Sequence, residues 1–100
     1  RVTVEKGAKI SNSRIRGPVG IGPDAIVEDS YIGPYTSLGK NCRVIKSEME
    51  HSVVLDGSSI ISVSKLTDSL IGRDVEVMRS VQQPRALRLM LGDDSKVELE

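Results

Sequence analysis

The stretch that decides the fold is Ile21-Gly22-Pro23-Asp24-Ala25-Ile26-Val27-Glu28-Asp29-Ser30-Tyr31-Ile32-Gly33-Pro34-Tyr35-Thr36-Ser37-Leu38. Its aliphatic residues Ile21, Val27, Ile32 and Leu38 are separated by steps of six, five and six residues. Neither the 3.6-residue period of an α-helix nor the strict alternation of a β-strand produces steps of this kind. The spacing indicates a chain that turns a corner at every step and returns to the same side after seventeen residues.

The same spacing extends over most of the chain in both directions. Three steps make one turn of sixteen or seventeen residues, and a short internal repeat of this kind is typical of a solenoid. The aliphatic residues that start the steps, which we call the anchors, are Val4, Ile10, Ile15, Ile21, Val27, Ile32, Leu38, Val44, Met49, Val54, Ile60, Leu66, Ile71 and Val77.

The two step lengths differ in their other residues. A six-residue step has a small or medium-sized residue four places after its anchor, and we expect that residue to point inward with the anchor: Ala8, Val19, Ala25, Thr36, Cys42, Ser58, Ser64 and Val75. A five-residue step is a shorter side with a serine near its corner: Ser13, Ser30, Ser47, Ser52 and Ser69. Glycine follows four anchors, and we expect a positive φ there because a sharp corner favours it: Gly22, Gly33, Gly39 and Gly72.

The predicted fold is all-β, a triangular single-stranded parallel β-helix of about four to five coils plus a capping coil. Its interior is narrow, since the 100 residues include twenty-one Val and Ile but no Phe or Trp. We expect one domain, with the coils over residues 1–78, a loop or short helix over 79–88 and the terminal capping coil over 89–100. The cap protects a sheet edge that would otherwise invite aggregation.

Composition excludes several functions. Lys and Arg total 14 against 14 Asp and Glu, and neither half of the chain is strongly basic, which argues against a nucleic-acid partner. The longest apolar run is three residues, so the sequence contains no membrane span or signal-peptide core. A single cysteine forms no internal disulfide and fits a reducing, cytoplasmic location. Because the chain starts at Arg1, we expect it to be a piece of a longer protein.

Two stretches carry a family resemblance. The Ile/Leu-Gly-x-x-Ala/Thr/Ser-x-Val/Leu units at residues 21–27, 32–38 and 91–97 are similar to the hexapeptide repeats of left-handed parallel β-helices. Residues 19–39 and 88–99 resemble the C-terminal β-helix of long-type glucose-1-phosphate thymidylyltransferases (dTDP-glucose pyrophosphorylases). The left-handed winding comes from this resemblance alone, since the general rule for parallel crossovers favours right-handed connections.

The resemblance implies a role for the chain. Enzymes of this family join dTTP to glucose 1-phosphate with Mg²⁺ and release pyrophosphate and dTDP-glucose. That chemistry belongs to an N-terminal Rossmann-like domain with a glycine-rich nucleotide loop and metal-binding aspartates, and this sequence contains none of these. We therefore expect no catalytic, cofactor-binding or metal-binding residues and no cofactor in these 100 residues. The expected partners are the enzyme's own N-terminal catalytic domain and further copies of the chain, with a trimer the commonest arrangement of such prisms.

His51, the only histidine, carries the main alternative function. Some hexapeptide-repeat N-acyltransferases that use acyl-CoA have a histidine on a coil as general base, and a group that titrates near neutrality suits that task. His51 lies beside the corner residue Ser52, and a surface position is the preferred explanation because no residue that would orient a base can be named. A third interpretation keeps the pyrophosphorylase family with guanylyl or adenylyl transfer, which no residue of this chain decides.

The remaining candidates have structural explanations. Residues 20–25, Gly-Ile-Gly-Pro-Asp-Ala, match a loose dinucleotide-binding fingerprint but stand in phase with the coils instead of opening a helix. Cys42 occupies an inward position and is expected to be a small buried hydrophobe. The pair Asp93-Asp94 suits a cation or a solvated turn. Three dispersed arginines suit a phosphate, a partner domain or local acids: Arg79, Arg85 and Arg88.

Overall fold

Short β-strands make up the regular structure of the protein. The computed structural model describes residues 1–79, 90–91 and 96–99, and this part of the chain contains no helix. The strands are β1 (Val2–Val4), β2 (Lys9–Ser11), β3 (Arg14–Ile15), β4 (Val19–Ile21), β5 (Ile26–Glu28), β6 (Tyr31–Ile32), β7 (Thr36–Leu38), β8 (Arg43–Ile45), β9 (Glu48–Glu50), β10 (Val53–Val54), β11 (Ser59–Ile61), β12 (Leu66–Thr67), β13 (Leu70–Ile71), β14 (Glu76–Arg79), β15 (Met90–Leu91) and β16 (Lys96–Leu99).

The strands form three parallel sheets that make the three sides of a prism. Sheet A has the order β1-β4-β7-β10-β13-β15, sheet B has β2-β5-β8-β11-β14-β16, and sheet C has β3-β6-β9-β12. Consecutive strands lie in different sheets, so the chain winds around the three sides for about five turns. The predicted all-β solenoid is confirmed. β15 pairs with β13 and β16 pairs with β14, which adds two strands of a further coil. Of the predicted loop or short helix over residues 79–88, all residues except Arg79 lie outside the described residues.

The predicted anchors stack on one another in register. Val4 pairs with Ile21 and Ile21 with Leu38 in sheet A, and Ile32 pairs with Met49 in sheet C. From the second coil onward every anchor is at most 2% exposed: Ile21, Val27, Ile32, Leu38, Val44, Met49, Val54, Ile60, Leu66, Ile71 and Val77. One-residue slips would turn these side chains outward, so burial of the anchors fixes the register of each sheet.

The expectation about the corner glycines is wrong. Gly22, Gly33 and Gly39 do not have positive φ; two residues further along, Asp24, Tyr35 and Asn41 do. The glycines are needed because neighbouring coils come close together: a Cβ on Gly22 would lie 2.6 Å from the carbonyl carbon of Gly39. A Cβ on Gly33 would lie 2.8 Å from Glu50 Cβ.

One predicted inward residue is also wrong. In the step from Ile60 to Leu66 the fully buried side chain is Val63, and Ser64 is partly exposed. The amide of Val63 donates to Ser47 Oγ (3.0 Å), so Val63 takes the place that serine has in the preceding coils. The additional residue of this step then lies in the corner, after Val63 instead of before it.

The corner serines form a hydrogen-bonded ladder between sheets B and C. The amide of Ser30 donates to Ser13 Oγ (3.1 Å), and that of Ser47 donates to Ser30 Oγ (3.1 Å). Each hydroxyl in turn donates to the carbonyl two residues earlier, as Ser30 Oγ does to Glu28 O (2.7 Å). Buried polar groups cost free energy unless they are paired, and the ladder pairs both the hydroxyls and the corner amides.

Thr36 has a buried hydroxyl without a hydrogen bond. Its Oγ1 has no partner, although the residue is only 3% exposed. Its register neighbour in the preceding coil is Val19, so a valine fits this position. We expect Thr36→Val to raise the free energy of unfolding by about 1 kcal/mol in urea titrations, because an unpaired buried hydroxyl is removed. A lower free energy of unfolding for Thr36→Val would contradict this assignment.

Ser52→Ala is the matched contrast to Thr36→Val. Ser52 Oγ accepts the amide of Ser69 (3.2 Å) and donates to Glu50 O (2.9 Å). We expect a loss of about 1–3 kcal/mol in the same titration, since the Ser69 amide is left buried without its acceptor.

Candidate functional surfaces

His51 lies at an exposed corner between sheets C and A. Its φ is 51°, and its amide donates to Pro34 O (2.9 Å). The His51 ring lies 5.3 Å from the ring of Tyr35, tilted by 54°, and Tyr35 is 66% exposed. The ring is thus accessible and has an aromatic neighbour. A general base also needs an acceptor that orients its second nitrogen, and none is seen for His51 within residues 1–79.

Cys42 is fully buried at the predicted inward position. Its Sγ donates to Leu55 O (3.1 Å). Burial raises the pKa of the Cys42 thiol, with a smaller contribution from the charge of Asp56, while backbone hydrogen bonds oppose the increase. This thiol is packed and protonated, which is the opposite of what a nucleophile requires.

The raised pKa of Cys42 gives a pH-dependent expectation. The folded state binds the thiol proton more tightly than the unfolded state, so this stabilisation is complete below the ordinary pKa of a cysteine and is lost as pH rises above it. We expect a disulfide reagent at pH 8 to label Cys42 only as fast as the protein opens, and rapidly in denaturing urea. Immediate labelling of the native protein would contradict the buried position.

The glycine-rich stretch at residues 20–25 is part of the coil. Gly20 and Ile21 end β4, Gly22 approaches the next coil, and Ala25 is fully buried. A dinucleotide fingerprint requires a helix after the strand to bind a pyrophosphate, and here the chain turns into β5. The pair Asp93-Asp94, Arg85 and Arg88 lie outside the described residues, and Arg79 ends β14.

A polar groove of about 1690 Å³ runs along the corner between sheets B and C. Its outward walls carry Arg14, Arg16 and Lys46 together with the carboxylates of Asp29 and Glu48. The carboxylate of Asp29 accepts a hydrogen bond from Asn12 Nδ2 (2.6 Å). The sequence analysis did not predict this groove; the available signal is that large or charged residues follow the corner serines of the five-residue steps, and three of them line it: Arg14, Tyr31 and Glu48.

The three outer faces differ in charge. On sheet A the outward positions of β1, β4, β7, β10 and β13 are all uncharged: Thr3, Gly20, Ser37, Val53 and Leu70. Sheet B presents Lys9, Glu28, Arg43 and Glu76, and sheet C presents Arg14, Glu48 and Glu50. Leu55 and Tyr35 add exposed apolar area beside the uncharged face. The strands of sheet A therefore offer a contact surface whose outward side chains are uncharged, with Arg1 at its N-terminal margin.

The described residues contain neither a metal-binding cluster nor a membrane-spanning helix. Residues 1–79 and the two short terminal segments contain no group of three or more His, Cys, Asp or Glu that could hold a metal ion. None of their elements is a helix long and apolar enough to cross a membrane.

The three parallel sheets, the stacked anchors and the short coil place the protein in the class of β-solenoids with three-sided coils. No protein-family profile matches the chain. It is, however, 52% identical over all 100 residues to glucose-1-phosphate thymidylyltransferase of Streptomyces antibioticus, of which it spans 28%. It is 48% identical over 99 residues to the protein of the same name from Streptomyces griseus, again over 28% of that protein.

A more distant relative has a related name. The low-salt glycan biosynthesis nucleotidyltransferase Agl11 of Haloferax volcanii is 35% identical over 71 residues, which are 70% of this chain and 20% of that protein. The chain is thus homologous to the C-terminal portion of proteins named glucose-1-phosphate thymidylyltransferase. It spans less than a third of the length of these relatives.

Proposed function

We propose that the chain is the C-terminal β-solenoid of a glucose-1-phosphate thymidylyltransferase and serves assembly and domain packing there. The observation that carries the proposal is the 52% identity over the whole chain to a protein of that name. In the full enzyme, dTTP and glucose 1-phosphate are converted to dTDP-glucose and pyrophosphate. Mg²⁺ belongs to the N-terminal catalytic domain, which is the first partner of the solenoid, and the enzyme is cytoplasmic.

The buried polar groups of the chain support a structural role. The serine hydroxyls that point inward bind backbone amides of the next coil, and the thiol of Cys42 binds a backbone carbonyl. A nucleophile must instead be accessible and activated by a neighbouring base. These potential nucleophiles are used to hold one coil on another.

The activity is tested on the longer protein. We expect it to form dTDP-glucose from dTTP and glucose 1-phosphate when Mg²⁺ is present. The same assay with GTP and with ATP decides the choice of nucleotide. Product from GTP or ATP but not from dTTP would contradict the thymidylyl assignment and support the alternative nucleotides.

Assembly is proposed to use the outer face of sheet A. Val53 is 40% and Leu70 41% exposed there, and the outward positions carry no charge. We expect Leu70→Arg to lower the molar mass of the longer protein in light scattering, whereas Glu76→Arg on sheet B leaves it unchanged. A trimer is the expected state of the unsubstituted protein. An unchanged mass for Leu70→Arg would contradict this choice of face.

The exposed ring of His51 favours one second candidate, an N-acyltransferase that uses acyl-CoA. Its test is acetyl transfer from acetyl-CoA to glucosamine 1-phosphate. Turnover that His51→Ala abolishes would support this candidate over a structural role.

A further inference from the structure

The N-terminal end of the solenoid is an uncovered cross-section of the core. Val4 is 47% and Ile10 37% exposed, although their register partners Ile21 and Val27 are 1% and 0% exposed. The first-coil anchors point into the prism like all later ones, and their exposure comes from the side that faces away from the second coil. The end is therefore an apolar triangle with the shape of one coil.

Backbone donors surround this apolar triangle. In the second coil the corner amides of Asp24 and Asp29 donate to Lys6 O (3.2 Å) and Ser11 O (3.1 Å) of the first coil. The corresponding amides of the first coil are those of Gly7 and Asn12, and no backbone acceptor for them is found among residues 1–79. Ser13 repeats the pattern: the amide of Ser30 binds Ser13 Oγ, whereas the Ser13 amide has no such serine before it.

The sheets leave the same end open. β1, β2 and β3 are the terminal strands of sheets A, B and C, and each pairs on one side only. Open strand edges beside exposed aliphatic residues favour the addition of another strand. Apolar area, free corner amides and free strand edges thus face the same direction. They are the same kinds of group through which each later coil contacts the coil before it.

We propose that the residues preceding Arg1 in the longer protein cover this end as one more parallel layer. This segment would supply aliphatic side chains over Val4, Ile10 and Ile15 and carbonyl oxygens to the amides of Gly7 and Asn12. The inference rests on the proposed function, since the relatives are more than three times as long as this chain. It makes the N-terminal end of the solenoid the place where the chain joins the rest of the enzyme.

Hydrogen bonding argues against a second copy of the chain at this end. Two copies related by a twofold axis present the same patch to each other. Two such ends that face each other run their edge strands antiparallel, so a second copy does not place carbonyls over the corner amides in the way that the parallel coils do. A preceding layer of the same chain direction presents carbonyls at these points, as Lys6 and Ser11 do for the second coil.

Hydrogen exchange measured by NMR tests the proposal on the longer protein and on residues 1–100. We expect the amides of Gly7, Asn12 and Ser13 to exchange about tenfold more slowly, or slower still, in the longer protein, since they gain partners there. The amide of Asp29, which is bonded in both, is the internal reference. Equal exchange of the three corner amides in both proteins would overturn the proposal, and so would slow exchange in a dimer of residues 1–100 alone.

A pair of variants provides a second readout. Ile10 faces the open end, and Ile26, its neighbour on sheet B, points outward beside the prism. We expect Ile10→Asp to lower the melting temperature of the longer protein by more than that of residues 1–100, whereas Ile26→Asp has an equal effect on both. Equal effects of Ile10→Asp on both proteins would count against the covered end.

The two readouts test the covered end and the assigned reaction separately. dTDP-glucose synthesis by the longer protein without protection of the corner amides would refute the covered end and leave the function standing. Protection of the amides without thymidylyl transfer would support the covered end and refute the assigned reaction.

Discussion

We expect Val54→Asp to unfold the chain and Val53→Asp to leave it folded. The two valines are adjacent in β10, but Val54 is 1% and Val53 40% exposed. An aspartate at Val54 places an unpaired charge among aliphatic side chains, which costs several kcal/mol, and a small domain has only about 5–15 kcal/mol of stability. At Val53 the same charge remains in water.

Circular dichroism and urea titration measure this difference. We expect no cooperative transition for Val54→Asp and a change within about 1 kcal/mol for Val53→Asp. Ile32→Asp, at a fully buried anchor of sheet C, is expected to behave like Val54→Asp. If Val53→Asp unfolded the chain and Val54→Asp did not, the register of sheet A would be displaced by one residue.

We expect Gly22→Ala to destabilise the chain and Gly20→Ala, two residues earlier, not to do so. A Cβ on Gly22 meets the backbone of the next coil, with Gly39 C at 2.6 Å and Leu38 O at 2.9 Å. Backbone atoms of a stacked coil cannot move aside as a flexible side chain can. We expect a loss of about 3 kcal/mol, at the upper end of what overpacking costs.

Gly20 is the matched control because a side chain at this position would point outward. The nearest atom to a Cβ there is Ser37 Oγ at 3.9 Å, an ordinary contact. Alanine reduces the freedom of the unfolded chain, so we expect Gly20→Ala to raise the free energy of unfolding by about 0.4–1 kcal/mol. Equal losses for the two variants in urea titrations would show that close approach of the coils is not the reason for Gly22.

The step pattern predicted the sides of the prism because burial is periodic. Each anchor must face the core once per step, and the narrow interior selects Val and Ile over aromatic residues. The corners were harder to predict, since a glycine at a corner is required either because its φ is positive or because the backbone of the next coil comes close to it. The signal that was missed is the Asp or Asn two places later, as at Asp24 and Asn41, since these residues tolerate the left-handed conformation better than most.

Step length alone also misplaced Ser64. A six-residue step accommodates its additional residue on either side of the inward position, and only the hydrogen bond from the amide of Val63 to Ser47 Oγ decides between them. The candidate surfaces show a similar limit. Which residues form the outer face of sheet A depends on which residues of successive coils lie side by side. This pairing can be read from one sequence only after the register is known.

Thymidylyl transfer by residues 1–100 alone is the decisive assay for a non-catalytic solenoid. The chain is supplied with dTTP, glucose 1-phosphate and Mg²⁺, and dTDP-glucose is sought beside a parallel reaction with the longer protein. We expect product from the longer protein and none from residues 1–100. Turnover by residues 1–100 would contradict this expectation, because the solenoid would then hold a nucleotidyl-transfer site of its own.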